Sequence, residues 1–566
     1  MNRIIFLVCM SYCFIARAQG EFTNPILQGG YPDPSIVRVE EDFYIVNSSF
    51  EYFPALPIHH STDLVNWQLI GHGINRKEQL GKVNLIDVQQ QGGIHAPSIR
   101  YNKEIFYIVV TNVYSPKDNT LPAEMVNFVL TAKDPKGPWS KPHIIEGAPG
   151  IDPDLFFDDD GKVYFVGTHN TGQPTVNGIG EIWVQELDLN DWKLIGPRSS
   201  IWRGACGGCC VEGPHIYKKN GLYYLMVAEG GTSRNHAVMI ANSDDIRGPY
   251  TSNPKNPILT SRHLSNNNWV HSTGHADLVE LDDGRWYMVA LGVRNVVDGT
   301  TNMGRETHLI PVQWETAVSG WKEEPKGVWK PIEDYWPVCA PLSGKVERKE
   351  VLPFTHKPQI DASAFRDDFE DKTLNPQWNF RRAPLPDMYS LNARKGFLRL
   401  KLSPKTFELR EQYHAMGFRQ TESDFSYTVQ MNFEATTNNA QAGISIFQQD
   451  DNYLNYNVLQ QDGNQYVILE HRTNQTKLNQ IFKQKLDHYT GQIILNVTSK
   501  ENQYSYRFSL DQGKTFYNLG KTEANLVLCK GYIGTQIGLY ASSNGQKTKE
   551  YADFDWINFQ GTKSKI

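Results

Sequence analysis

A short motif returns five times along this chain, and no other feature limits the possible folds as strongly. Asp33-Pro34-Ser35-Ile36 leads to Phe43-Tyr44-Ile45, and Ala96-Pro97-Ser98-Ile99 leads to Phe106-Tyr107-Ile108. Asp152-Pro153-Asp154-Leu155 leads to Val163-Tyr164-Phe165, Pro214-His215-Ile216 to Tyr223-Tyr224-Leu225, and His275-Ala276-Asp277-Leu278 to Trp286-Tyr287-Met288. Anchored on Pro34, Pro97, Pro153, Pro214 and Ala276, the gaps are 63, 56, 61 and 62 residues. A repeat of this period, made of short aromatic and β-branched runs with Gly, Asn or Asp turns between them, predicts a β-propeller, and five units predict five blades. Each anchor starts a strand, and equivalent strand starts converge on one end of the central channel. Asp33, Asp152, Glu212 and His275 are therefore expected to meet in one pocket, at what are taken as repeat-equivalent positions.

The 566-residue chain exceeds a single domain, and its 12% aromatic content suits β architecture. Residues 1–18 have a basic residue (Arg3), an apolar core from Ile4 to Ile15 and Ala16-Arg17-Ala18 as a cleavage site. This predicts a secretory signal peptide, with no lipoprotein box at Cys9 or Cys13, and a product exported across the inner membrane to the periplasm or beyond. Losing Arg3 and Arg17 moves the formal charge from −6 to −8, which argues against nucleic acid as a partner. No later stretch is long and apolar enough to span a membrane. Five cysteines remain, Cys206, Cys209, Cys210, Cys339 and Cys529, too few and too unevenly spaced for a disulfide framework. Cys206-x-x-Cys209-Cys210 reads as a structural loop, with a zinc site completed by His215, or a single bridge, as the alternatives.

The repeat region, residues 22–325, gives way to a Pro-, Lys- and Glu-rich stretch, 326–363, that reads as a linker. From 364 to 562 a different alternation begins, as in Phe397-Leu-Arg-Leu-Lys-Leu402 and Phe425-Ser-Tyr-Thr-Val-Gln-Met-Asn-Phe433, with turns such as Asp462-Gly463. Many short antiparallel strands predict a β-sandwich of jelly-roll type, so the whole chain is expected to be all-β.

The candidate chemistry rests on three carboxyl groups. Glycosidic hydrolysis needs one carboxylic acid to protonate the departing oxygen and one carboxylate to act on water or on the sugar. Glu212 has the reach for the acid, and an apolar pocket shared with other carboxylates would raise its pKa. Asp33, held between Pro32 and Pro34, suits the base that activates water, and Asp152 would be the third charge that orients the acid and keeps its pKa high.

Around these residues the sequence resembles glycoside hydrolase family 43, in particular its two-domain β-xylosidase and α-L-arabinofuranosidase members. The resemblance runs through Gly30-Tyr-Pro-Asp-Pro-Ser-Ile36, Phe43-Tyr-Ile-Val-Asn-Ser-Ser-Phe50, His60-Ser-Thr-Asp-Leu-Val-Asn-Trp67, Gly93-Ile-His-Ala-Pro97, Ile151-Asp-Pro-Asp154, Glu212-Gly-Pro-His215, Gly274-His-Ala-Asp277 and Gly304-Arg-Glu-Thr307. It implies a five-bladed propeller followed by a concanavalin-like sandwich, and inversion of configuration. Asp33 would be the general base, Glu212 the general acid and Asp152 the pKa modulator, with carboxyls roughly 6.5 to 9.5 Å apart for inversion. Arg305 resembles the family's arginine that holds the terminal pentose, with a surface ion pair to Glu306 as the plainer role. His275 is similar to a histidine that orients a water or ligates a structural calcium in the channel, Phe50 and Phe53 would offer a stacking face, and no other cofactor is implied. Where relatives often carry an aromatic residue this chain has His95, a polar platform beside the sugar. The expected substrate is a plant cell-wall oligosaccharide or polysaccharide, trimmed from its non-reducing end. Terminal α-L-arabinofuranose is the favoured sugar, with β-D-xylose the alternative. An endo-arabinanase would need an open groove, and a non-catalytic binding propeller would be expected to lack one of the carboxylates.

Overall fold

The computed structural model describes residues 20–170, 180–205, 209–297, 299–354, 357–408, 410–473, 475–524 and 532–563. The signal-peptide segment, Cys206 and Cys529 lie outside these residues. Among the described residues the only helical element is a single 3-10 turn, Lys77–Gln79, and everything else regular is strand.

The first part of the chain forms five antiparallel sheets in sequence order, each built on a four-strand path. Their first strands are labelled β1 (Ser35–Val39), β2 (Gly93–Asn102), β3 (Ile151–Phe157), β4 (Glu212–Lys219) and β5 (Val270–Glu280). These inner strands touch one another in a ring, β1 to β2, β2 to β3, β3 to β4, β4 to β5 and β5 back to β1. β5 is buried at all but its last residue, because it is covered by its neighbours in the ring as well as by its own sheet.

Just ahead of the unbroken ladder of every inner strand, at the strand's head, stands a residue in the left-handed region: Asp33 (φ 50°), Ala96 (35°), Asp152 (54°), Gly213 (57°) and His275 (44°). Non-glycine residues at positive φ are uncommon, so four of them at one structural position, with a glycine at the fifth, make a designed feature of the repeat. In the sheets of β2, β3, β4 and β5 a register shift accompanies it, the signature of a β-bulge that re-aims side chains. The left-handed series also corrects the alignment of the carboxyl groups. Asp33 and Asp152 occupy the equivalent place, but the fourth sheet has Gly213 there and Glu212 precedes it by one residue. A Cβ at Gly213 would come within 2.9 Å of the His275 ring, so this position takes glycine and the carboxyl moves one residue upstream.

The stretch read as a linker is largely structured. Strand β6 (Arg305–Glu323) pairs with β7 (Trp329–Cys339), which is the outermost strand of the fifth sheet, and Lys349–Val351 pairs with Glu21–Thr23 at the chain's start. Pro331 and Pro337 hid β7 in the sequence, and they are tolerated because an edge strand leaves one side of its ladder unpaired.

Beyond residue 363 two antiparallel sheets, one of eight strands and one of six, face each other as a sandwich. Asp424–Asn432 alternates half-buried and buried residues without a break, sending Phe425, Tyr427, Val429 and Met431 inward. Asp462 (φ 49°) and Gly463 (φ 76°) form the expected tight turn, whose two positive φ angles match a type I′ hairpin. The sandwich interior is continuous with the first two propeller sheets, one apolar cluster including Ile58, Ile108 and Trp139 together with Trp378, Phe418 and Tyr427.

Buried charges also tie the two parts. Arg294 pairs with Glu306 of its own sheet (2.6 Å) and with Glu422 of the sandwich (2.9 Å); the two glutamates are almost fully buried and the arginine half-buried. Removing the cation would leave two buried carboxylates without their partner. Arg294→Met is expected to lower stability by about 3–5 kcal/mol, measured as a fall in the denaturant midpoint. A midpoint unchanged within error would show that the interface does not depend on this triad.

Candidate active site

The left-handed heads of β1 and β3 turn Asp33 and Asp152 toward the same end of the ring, and Glu212 enters from β4 beside them. Asp33 is 4% exposed. Burial alone would raise its pKa, yet the carboxyl is held below the usual carboxylate range by Arg305, the neighbouring histidines and Ser48. Arg305 Nη1 lies 3.0 Å from Asp33 Oδ1. The Ser48 hydroxyl donates to Asp33 Oδ2 (2.6 Å) and itself accepts the Ala96 N–H (2.7 Å), so its single proton is committed to the carboxylate. Asp33 is thus the ionised member of the group.

Asp152 and Glu212 are driven the other way. Burial, then Glu212 and Asp33, push Asp152 well above the carboxylate range. Burial, then Asp33, raise Glu212 to about 7 against the pull of Arg305. Between them these two carboxyls hold a proton near neutral pH, and the pair titrates together. Asp152 Oδ2 accepts the Gly213 N–H at 3.1 Å, which opposes the rise at Asp152 without cancelling it.

Arg305 is 6% exposed and pairs with Asp33, not with Glu306, which belongs to Arg294. Its guanidinium lies beside a pair of rings in mutual contact, 5.4 Å from the Phe50 centroid and 4.9 Å from that of Tyr532. His95 sits edge-on to Phe50 (4.8 Å) with Nε2 3.0 Å from the Gln91 carbonyl, and burial lowers its pKa to about 4, so it is neutral. His275, also lowered to about 4 by burial, places Nδ1 3.9 Å from Asp33. Phe53 goes elsewhere. Its backbone pairs with Phe380 of the sandwich and its side chain joins the apolar cluster between the domains, so it is a packing residue and not a stacking face.

Tyr532 is the residue that sequence reasoning missed. It comes from the sandwich, its carbonyl accepts the Arg305 Nε at 3.1 Å, and its ring lies 5.2 Å from Phe50. The adjoining Ile533 bridges Gly304 as a strand pair, and a Cβ on Gly534 would sit 2.3 Å from the Met303 carbonyl carbon. That backbone contact seats the second domain against the rim. Only the two glycines, Gly304 and Gly534, carried any signal of it. A separate cavity of about 700 Å³ between the domains, lined by Tyr31, His59, Trp67, Trp269 and Arg419 among others, contains none of the three carboxyls.

Calcium does not fit the channel. Below the pocket the Arg100 guanidinium sits 2.6 Å from Asp154, 2.8 Å from Asp277, 3.2 Å from the Ser35 hydroxyl and 2.9 Å from His215 Nδ1. The carboxylates that would attract a cation already have one. Among the described residues no group of three or more His, Cys, Asp and Glu side chains converges on a metal position, with Cys206 of the proposed zinc site outside that set.

A buried ionised aspartate, two further carboxyls that hold a proton between them, and an arginine beside two aromatic rings are the equipment of a glycosidase. Comparison with known proteins agrees. Residues 22–321 match "Glycosyl hydrolases family 43" and residues 366–560 match "Beta xylosidase C-terminal Concanavalin A-like domain". The chain belongs to glycoside hydrolase family 43. It is 37% identical to a "Xylosidase/arabinosidase" of Butyrivibrio fibrisolvens, over 95% of this chain and 99% of that protein. With the "Non-reducing end alpha-L-arabinofuranosidase BoGH43B" of Bacteroides ovatus it shares 34%, over 98% of each. The solved structure titled "Bacteroides ovatus Xyloglucan PUL GH43B" superposes with a TM-score of 0.84, covering 96% of this chain and all of that one at 34% identity.

Because Arg100 supplies the channel's positive charge, excess chelator or added calcium is expected to leave the glycosidase rate and the melting temperature unchanged. A fall in both on chelation, reversed by calcium, would overturn the account of the channel.

Proposed function

We propose that this enzyme releases terminal non-reducing α-L-arabinofuranosyl residues from hemicellulose fragments, acting from chain ends with inversion of configuration. The observation that carries the exo reading is Tyr532: a residue of the second domain walls the pocket beside Arg305, where an endo-acting enzyme would need an open groove. A polar His95 at the platform beside the sugar, and the likeness to an arabinofuranosidase over 98% of both chains, support arabinose. The match of the second domain to a β-xylosidase C-terminal domain favours the second reading, release of β-D-xylose from xylo-oligosaccharides.

In the proposed mechanism a water lies between Asp33 and the anomeric carbon. Asp33 takes its proton while the oxygen attacks from the face opposite the leaving group, and Glu212 gives its proton to the departing oxygen. Asp33 ends protonated and Glu212 ionised, and exchange with solvent restores both. Arg305 holds two sugar hydroxyls with the donors that Asp33 and Tyr532 leave free. Ser48, by committing its proton to Asp33, fixes the base in position. Asp152, crowded against Glu212, titrates together with it and so modulates the acid's pKa. Neutral His95 and His275 offer hydrogen bonds without adding charge.

Hydrolysis of aryl α-L-arabinofuranoside and aryl β-D-xyloside by the purified protein is the direct test. Preference for the arabinoside is expected, preference for the xyloside would install the second reading, and inactivity on both would defeat the exo-glycosidase proposal.

The ionisation states set the pH profile. Activity should fall as pH rises through about 7, where Glu212 loses its proton, and on the acid side only below the ordinary carboxylate range, where Asp33 gains one. Glu212→Ala should remove the basic limb. It should also cost about 10²–10⁴-fold on natural glycosides, with a smaller loss on aryl glycosides whose leaving group needs no protonation. Equal losses on both substrates would assign the acid elsewhere.

A further inference from the structure

The loop that delivers Glu212 carries two adjacent thiols for which the hydrolytic mechanism has no use. Cys209 and Cys210 precede Val211 and Glu212, and their sulfurs are 2.7 Å apart, within about 0.7 Å of the ~2.05 Å of a disulfide. Neighbouring side chains in an extended chain point to opposite sides. Here Cys210 has φ 65°, which breaks that alternation, and the sulfurs meet. The backbone is pinned on both flanks. Gly230 N–H donates to the Cys209 carbonyl (2.8 Å), and the Thr168 hydroxyl donates to the Val211 carbonyl (2.6 Å). Gly231 lies beneath the pair, where even a Cβ would be only 3.5 and 3.7 Å from the two sulfurs. Both thiols are half-buried, open enough for a small oxidant to reach.

We propose that Cys209 and Cys210 form a redox modification site that closes to a vicinal disulfide and stiffens the loop feeding the general acid. The placement of the bridge is independent of the glycosidase mechanism. Its consequence rests on the role proposed for Glu212. The oxidant is a small-molecule or protein disulfide. One cysteine thiolate attacks an oxidant sulfur and expels a thiolate. The other cysteine then displaces the remaining half, so the protein loses two protons and two electrons and the oxidant leaves as two thiols. Burial, Cys209 and Glu212 push the Cys210 thiol up to about 12, so exchange is slow at neutral pH and accelerates with alkalinity. The shielding that slows closure also slows reopening.

The experiment treats two proteins lacking the expected signal peptide, residues 1–18 with Cys9 and Cys13, with oxidised glutathione at mildly alkaline pH: the wild-type chain, and a variant carrying Cys206→Ser, Cys339→Ser and Cys529→Ser whose retained activity reports folding. The expected result is an intact mass lower by two hydrogens in both, reversed by dithiothreitol, with peptide mapping in the wild type placing the bond between Cys209 and Cys210. Two glutathione adducts, no reaction, or a bond mapped to Cys206 would overturn the site, and mapping of the wild type decides this even if the variant fails to fold. Oxidised and reduced wild type should then differ in KM for an oligosaccharide substrate, whereas Cys210→Ser should not respond to reductant. Identical KM values for the two wild-type forms would overturn the coupling to the acid loop. Activity failing in every form, with the bridge still mapped, would count against the glycosidase mechanism and not against the bridge.

Discussion

One guanidinium holds the ring together. Arg100 on the second inner strand reaches Ser35 on the first, Asp154 on the third, His215 on the fourth and Asp277 on the fifth, so a single side chain touches all five. Tyr217 completes the cluster by donating to Asp277 Oδ1 at 2.6 Å. Two buried carboxylates are costly unless paired and hydrogen-bonded, and a planar fork of donors meets both at once. Asp277 is accordingly held far below the usual carboxylate range, burial notwithstanding. The contacts of this cluster are made two residues beyond the left-handed heads in four of the five strands, so fixing the axis also fixes where each head points.

The pocket is the consequence of that geometry at the next layer. Three carboxyl groups and one arginine are gathered where water is scarce, and they cannot all be ionised. Arg305 and Ser48 settle the charge on Asp33, and the crowding left over forces a proton onto the Asp152–Glu212 pair. Acid and base are separated by environment, although both are carboxyls. The sandwich takes part directly: the Tyr532 carbonyl occupies the Arg305 donor that faces away from Asp33, which orients the guanidinium. Glu422 does the same for Arg294 one residue ladder away. The second domain is therefore a structural part of the site and not an appendage.

Much of this was legible in advance because the propeller repeats. A repeated anchor gives strand starts, strand starts give a common rim, and a rim gathers distant residues; Asp33, Asp152, Glu212 and His275 were found that way. Where repetition failed, so did the reading. Glu212 is offset by one residue because His275 needs the space of a glycine at 213, a contact between two sheets that no single motif displays. Strand β7 looked like a linker because its two prolines are permitted only by its place at the edge of a sheet. Phe50 and Phe53 looked alike, three residues apart. Both pack against the sandwich, but only Phe50 also lies beside Arg305, while the pairing of Tyr52–Phe53 with Phe380–Arg381 carries Phe53 away from it.

The sequence by itself determined the all-β class, the order of the two domains and the identity of the three carboxyls, because strand alternation and the repeat are local and periodic signals. The tertiary structure alone decided which carboxyl stays ionised, which side chain neutralises the channel and which residue of the sandwich walls the pocket. Those outcomes depend on burial and on charges contributed from hundreds of residues away, and desolvation and Coulomb interactions follow distance in space, on which spacing along the chain is silent.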